Sequence, residues 1–303
     1  MSATDRFSSR GGRRGVDAMA AFTVLSWAAI FPLTRVCLQW FQPFELVTLR
    51  LIITAVVFAV GLLFVRPRPP SLPQLAVLAI CAFFGVALYN LFLSWGLVTL
   101  SAGAASFLTN TIPIFTALLS FVMNGERPTW RSIGGMLIAF AGIGVLASAQ
   151  PGGFAFGSGV SFVLAGALCS ALYIVLQRRL VHTFPPFETG AWLMILGAVF
   201  LLPFSGAAFD ATLSAPVPAL LFVAALAIVP GALGQLAWLY VLKTTPAGRA
   251  ASLLFLIPPI TTVIGVAMLG ETVSIALLVG GAFAIAGVAI VHAERAMRRA
   301  RAD

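Results

Sequence analysis

Residues 102–127 read AGAASFLTNTIPIFTALLSFVMNGER, and residues 247–272 read AGRAASLLFLIPPITTVIGVAMLGET. A displacement of 145 residues lays Gly103 on Gly248, Ala105 on Ala250, Pro113 on Pro258 and Gly125-Glu126 on Gly270-Glu271. The register continues outward, taking Gly135 to Gly280 and Ala141-Gly142 to Ala286-Gly287. Nearer the start, a displacement of 143 takes Arg35 to Arg178 and Pro43-Phe44-Glu45 to Pro186-Phe187-Glu188. Chance likeness between apolar stretches does not hold charged residues and prolines in step, so the chain reads as a duplication.

The solvent of both copies follows from composition. Of 303 residues, 60% are hydrophobic and 9% charged, with a mean hydropathy of +1.05. A soluble domain carries about 25% charged residues, and this chain has too few to cover a water-facing surface. Apolar runs lie near 16–38, 44–65, 75–99, 102–123, 133–149, 159–176, 187–204, 218–242, 247–269 and 273–291. In hydrocarbon every backbone polar group needs an internal partner, so runs of this length predict helices, with about 20 residues to a span. The expected fold is an all-α polytopic membrane protein of ten transmembrane helices. The first run follows Arg6, Arg10, Arg13 and Arg14, a pattern shared with signal peptides. Its length and the many runs behind it predict an uncleaved first span instead.

Charge placement orients the spans. With the amino end in the cytoplasm and sides alternating, every Lys and Arg of the 18 falls on a cytoplasmic segment except Arg35 and Arg50, which lie within or at the rim of spans. That bias puts both termini inside and makes the span count even. A net charge of +9 is thereby a topology signal, and no nucleic-acid partner is expected. Five spans per copy, an odd number, turn the second copy upside down. Arg127 and Arg131, on the inside, match Thr272 and Ala276 outside, while Lys243 and Arg249, inside, match Val98 and Ala104 outside. The expected organisation is a tail at 1–15, a first repeat at 16–149, an inverted second repeat at 159–291 and a basic tail at 292–303. Inverted repeats commonly hold substrate at the midplane between them.

Ten spans in two five-helix halves, with Pro113 followed by Gly125-Glu126 and Pro258 followed by Gly270-Glu271, resemble the drug/metabolite transporter superfamily of the EamA type. The resemblance covers essentially the whole chain and, within the family, lies nearest bacterial amino-acid and metabolite exporters. It implies carriage of a small molecule across the bacterial inner membrane. Relatives that carry phosphorylated sugars hold phosphate with basic residues. Here Lys243 and Arg249 are the candidates, and the inside-positive bias already accounts for both.

Polar groups inside spans are costly and mark candidate sites. Asn90, beside Tyr89, falls near the middle of the third span, and its repeat partner Gln235 falls in the middle of the eighth. Facing one another, two amides could bond the ammonium and carboxylate of a zwitterion, or each could tie its helix to a neighbour. Thr109 and Asn110 precede Pro113, whose missing N–H frees the Thr109 carbonyl. Pro258-Pro259 repeat the device, and Pro230-Gly231 interrupt the eighth span, so Pro113, Pro230, Pro258 and Pro259 are expected hinges. Trp27, Tyr89, Tyr173 and Trp238 lie deep enough to wall an apolar pocket. The substrate-binding set is thus Trp27, Tyr89, Asn90, Thr109, Asn110, Tyr173, Gln235 and Trp238, suited to neutral or zwitterionic metabolites such as amino acids, aromatic ones among them.

The remaining features are assigned to structure. Arg35, Glu45 and Arg50 read as a static cluster at the outer ends of the first two spans, with an outer gate as the other reading. Glu126 and Glu271 are expected to cap the helices that follow them. Gly135-x-x-x-Ala139 and Gly280-x-x-x-Ala284 allow close helix approach, in peripheral supports or a dimer contact, so the oligomer is a monomer or homodimer in membrane lipid. Cys37, Cys81 and Cys169 are widely spaced within apolar runs, and His182 and His292 sit at segment ends. No metal site, cofactor or catalytic residue is expected. A small-solute channel and a non-transporting membrane scaffold are the alternatives to a carrier.

Overall fold

The structure is a computed structural model that describes residues 3–65, 69–125, 129–150, 152–153, 155, 157–177, 184–245 and 253–302. All regular structure among these residues is helical. α1 covers Ala3–Cys37 and α2 Pro43–Val65. Then come α3 (Leu72–Thr99), α4 (Ala102–Met123), α5 (Trp130–Ser148), α6 (Gly159–Gln177), α7 (Pro186–Ser214) and α8 (Val217–Thr244). α9 (Leu254–Leu269) and α10 (Ile275–Ala302) complete the chain. Among the described residues eight helices are long and apolar enough to cross a membrane, and Leu254–Leu269 and Ile275–Val291 are shorter apolar helices. The run expected at 247–269 is described only from residue 253. Arg66, Arg68, Glu126, Arg127, Arg178, Arg179, His182, Gly248, Arg249 and Ala250 lie outside the described residues.

The helices are apolar on both sides, but the two sides differ in kind. Leu63, Phe64, Val122, Leu137, Leu221 and Val263 are exposed, an exterior that water would not tolerate and lipid does. This is a multi-pass membrane protein. Helix ends are set by local chemistry: the Ser101 hydroxyl accepts from the Ala104 N–H and the Thr129 hydroxyl from that of Ser132. The first span, Gly15–Cys37, matches the run read at 16–38, although its helix extends back to Ala3. One boundary differs from expectation. The seventh run, expected to stop at 204, tightens to a 3₁₀ turn over Leu202–Phe204, where Pro203 supplies no N–H, and resumes as helix over Ser205–Ser214. No proline recurs until Pro216, so nothing stops the helix before it.

The inter-helix contacts come in twins. α1 packs on α8 and α9, while α6 packs on α3 and α4. α2 packs on α8, while α7 packs on α3; α2 also meets α7, α4 meets α9 and α5 meets α10. The α5–α10 pair is the closest. A methyl group at Gly142 would lie 2.5 Å from the Gly280 carbonyl oxygen, and one at Gly135 would lie 2.7 Å from that of Gly287. As the number rises along α5 it falls along α10, so the two helices cross antiparallel with backbones touching. The small residues expected at a support or dimer contact therefore pair α5 with α10 inside one chain.

Matching backbone details accompany the twinned contacts. Ile112–Asn124 and Ile257–Leu269 are helical pieces of 13 residues each, with Pro113 and Pro258 in their first turns. Each ends on a left-handed glycine, Gly125 at φ 68° and Gly270 at φ 64°, a conformation that costs glycine nothing. π-helical segments interrupt α3 at Phe83–Leu88 and α8 at Ala227–Gly234.

Candidate substrate site

A π segment holds one residue more per turn than the α ladder accommodates, widening the helix and leaving carbonyls in need of partners. In α3, the Asn90 amide nitrogen donates to the Val86 carbonyl at 2.6 Å. In α8, the Thr54 hydroxyl donates to the Ala227 carbonyl at 3.0 Å. Thr54 comes from α2, which packs on the second π segment. Gly231 permits this approach, since a methyl there would lie 2.8 Å from the Thr54 hydroxyl oxygen.

One turn before Thr54, on the same face of α2, stands Arg50. Its Nη2 donates to the Asn90 side-chain oxygen Oδ1, so the Asn90 side chain bridges the guanidinium and the π segment. Arg50 is only 8% exposed, and its buried Nε–H has no hydrogen-bond partner. Among the described residues the ion pair present is Arg35 with Glu271, and no carboxylate reaches Arg50. Glu45, one turn earlier on α2, accepts from the Gln42 N–H at 2.8 Å and is spent at the helix start. Tyr89 and Cys37 lie within electrostatic reach of the guanidinium. The expected static cluster of Arg35, Glu45 and Arg50 therefore does not form. The three side chains have separate partners, because α2 carries Arg50 inward while Glu45 turns back on its own N-terminus.

Around this centre the structure sorts the expected binding residues into three groups. Tyr89, Asn90 and Tyr173 gather at the first π segment, where the Tyr173 ring packs directly on Gly85. Trp27, Gln235 and Trp238 gather at the second. The Trp27 and Trp238 rings lie 5.4 Å apart and tilted by 50°, and Trp27 packs on Gly234. Thr109 and Asn110 mark the break in α4 between Ala102–Thr109 and Ile112–Asn124. There the Thr109 hydroxyl folds back on the Ala105 carbonyl at 2.8 Å, and the Asn110 amide nitrogen is buried without a partner. Asn90 and Gln235 occupy matching places after their π segments, but both ends of the Asn90 amide are engaged by Arg50 and Val86. Of the expected hinges, Pro113, Pro258 and Pro259 open their helical pieces and Pro230 lies within the π segment of α8.

A cleft of about 640 Å³ opens at one end of the bundle, lined by Arg35, Gln39, Leu97, Thr99, Ser101, Glu271 and Thr272 among others. None of the expected binding residues lines it. Its wall holds the Arg35–Glu271 pair, and Glu271 also accepts from the Ala102 N–H at 2.8 Å. Glu271 thus caps α4, not the helix that follows it as expected. Residues 272–274 are not helical, and the Ser274 hydroxyl caps α10 by accepting from the Leu277 N–H. Among the described residues no group of three or more His, Cys, Asp or Glu could hold a metal ion.

Arg50 is the residue that sequence reasoning passed over. A single cation within an apolar run was the available signal, and its position near the start of the second span assigned it to the rim.

The EamA-like transporter family matches the chain twice, over residues 15–148 and 157–293. A "Probable terminal-alkyne amino-acid exporter" of Streptantibioticus cattleyicolor is 34% identical over 282 residues, covering 93% of this chain and 94% of its own. An uncharacterized transporter of Archaeoglobus fulgidus is 28% identical over 276 residues, covering 91% of this chain and 98% of its own. A solved crystal structure superimposes with a TM-score of 0.61 at 24% identity, covering 94% of this chain and 98% of the other, a likeness of fold alone.

Proposed function

The chain belongs to the EamA-like transporter family, and we propose that it exports small zwitterionic metabolites of the amino-acid class by alternating access. In this reading ten spans form two inverted five-helix halves, 16–149 and 159–291, in the plasma membrane of a bacterium, with both termini cytoplasmic. The substrate occupies a chamber between the halves at the midplane.

The observation that carries the reading is the crossing of α5 and α10. Gly135 meets Gly287 while Gly142 meets Gly280, and a displacement of 145 residues interchanges the members of these pairs. Such reciprocity is the signature of a twofold relation. Equivalent helices running antiparallel fit two copies turned upside down about an axis in the membrane plane. Two halves built alike and packed by twinned contacts have a second arrangement of equal kind, with the open end exchanged. Rocking between the two moves a solute without opening a continuous pore. The π segments and the proline breaks are where the helices can yield.

The substrate class draws support from the Streptantibioticus cattleyicolor protein, whose name states an amino-acid exporter. Aromatic walls from Trp27, Tyr89, Tyr173 and Trp238 suit the apolar part of such a molecule.

Reconstitution into liposomes with a panel of labelled amino acids, sugars and sugar phosphates tests the proposal. Saturable uptake of an amino acid, accelerated by unlabelled amino acid trapped inside, is the expected result. Linear, non-saturable flux without counterflow would make the protein a channel. Flux of a sugar phosphate but of no amino acid would overturn the substrate class.

A further inference from the structure

We propose that Arg50, oriented by Asn90, is the seat of an anionic group on the transported molecule, and that the cargo is a carboxylate-bearing metabolite. This rests on the transport reading above and adds to it the charge that the site recognises.

A cation buried in an apolar membrane protein needs a counter-charge or a full set of acceptors. Arg50 has neither: it is 8% exposed, no carboxylate reaches it among the described residues, and its Nε–H is buried without a partner. The one amide that holds it does not complete its needs. Asn90 accepts from Nη2 and is itself anchored to the Val86 carbonyl, and the buried Nε–H is left without an acceptor. A carboxylate fits a guanidinium edge with two parallel hydrogen bonds.

The duplication sharpens the point. The displacement that takes Pro43-Phe44-Glu45 to Pro186-Phe187-Glu188 takes Arg50 to Leu193. Leu193 is 2% exposed within an apolar cluster. The matching position of α7 is therefore built with leucine in an apolar cluster, and the repeated helix does not require a cation there. The charge belongs to one half only, next to a π segment, a type of helix defect that is frequent at functional sites. A single monovalent cation matches a carboxylate and leaves a phosphate dianion half unpaired.

The test uses the purified full-length protein with L-propargylglycine, L-phenylalanine and L-tryptophan, each beside its carboxamide and its decarboxylated amine. Thermal shift in detergent and counterflow in liposomes are both read. Arg50→Leu copies the second half, and Arg50→Gln serves should the leucine variant not fold. The expected result is that acids stabilise and cross while amides and amines do not, and that the folded variant loses about 10- to 100-fold in apparent affinity for the acid. Amides crossing as well as acids in the unaltered protein, or an unchanged KM for the acid in a folded Arg50 variant, would overturn the proposal and leave transport standing. If no compound of the panel binds or crosses, the transport reading falls and this one with it.

Discussion

Arg35 of α1 donates to Glu271, 236 residues further along the chain, and so ties elements far apart in sequence together in the wall of the cleft at one end of the bundle. The two partners differ in burial: the side chain of Arg35 is 34% exposed and that of Glu271 9%. The same Glu271 oxygen also accepts the Ala102 N–H at 2.8 Å. The pair is thus a cap on α4 to which an arginine has been added.

That asymmetry predicts unequal losses. Arg35→Ala removes a half-exposed partner and lowers stability by less than about 1 kcal/mol. Glu271→Ala also strands the Ala102 N–H, which costs about 1–3 kcal/mol. Glu271→Gln keeps an acceptor for Ala102 and falls between them. Thermal unfolding in detergent ranks the three, and equal losses for Arg35→Ala and Glu271→Ala would deny the cap its role.

The α5–α10 crossing supplies a controlled pair on one helix. At Gly142 a methyl group would lie 2.5 Å from the Gly280 carbonyl oxygen, whereas at Gly144 it would meet nothing within 4 Å. Gly142→Ala forces backbones apart and is expected to destabilise by about 1–3 kcal/mol. Gly144→Ala gains helix propensity and is neutral or stabilising by up to about 1 kcal/mol. The comparison is a difference of melting temperatures between two single-methyl variants.

Asn90→Asp places a carboxylate where an amide now accepts from Arg50. The new ion pair competes with a carboxylate cargo for the guanidinium, so KM for the cargo rises by about tenfold or more. The aspartate still accepts from Arg50 but no longer donates to the Val86 carbonyl, so KM is read on the folded fraction. A concentration series of exchange rates in liposomes measures the effect, and an unchanged KM would separate Asn90 from the cargo.

The break in α4 makes a different kind of prediction. Pro113→Ala restores an N–H for the Thr109 carbonyl and lets Ala102–Thr109 and Ile112–Asn124 join as one straighter rod. A stiffer α4 raises thermal stability and slows the exchange between open ends. Turnover therefore falls while KM changes less, as the maximal rate of counterflow against its half-saturation shows.

Apolar runs and prolines are properties of the linear chain, and the helices and breaks that depended on them were legible. The run read at 159–176 is the helix Gly159–Gln177, and the run read at 44–65 is Pro43–Val65. The break in α4 follows from Pro113 alone. The π segments left no such mark, because Phe83-Phe84-Gly85 reads as ordinary helix and the extra residue shows only in the hydrogen-bond ladder. Arg50 was misplaced for a related reason. Its distance from the start of α2 is a count along the chain, whereas its burial depends on how α2 lies against α3 and α8. Asn90 was found as an intramembrane amide, but its partner Arg50 lies 40 residues away, and no local pattern joins them. Glu271 was tied in sequence to the helix that follows it and is tied in space to α4, a choice that only tertiary packing makes.

The central claim is that the second five helices are the first five turned upside down. In a background with Cys37, Cys81 and Cys169 changed to alanine, single cysteines at Trp130 and Thr272, both exposed, are treated with an impermeant maleimide on intact cells and again after permeabilisation. The account predicts that Thr272→Cys is labelled from outside and Trp130→Cys only once the membrane is opened. Labelling of both from the same side would make the halves parallel and contradict it.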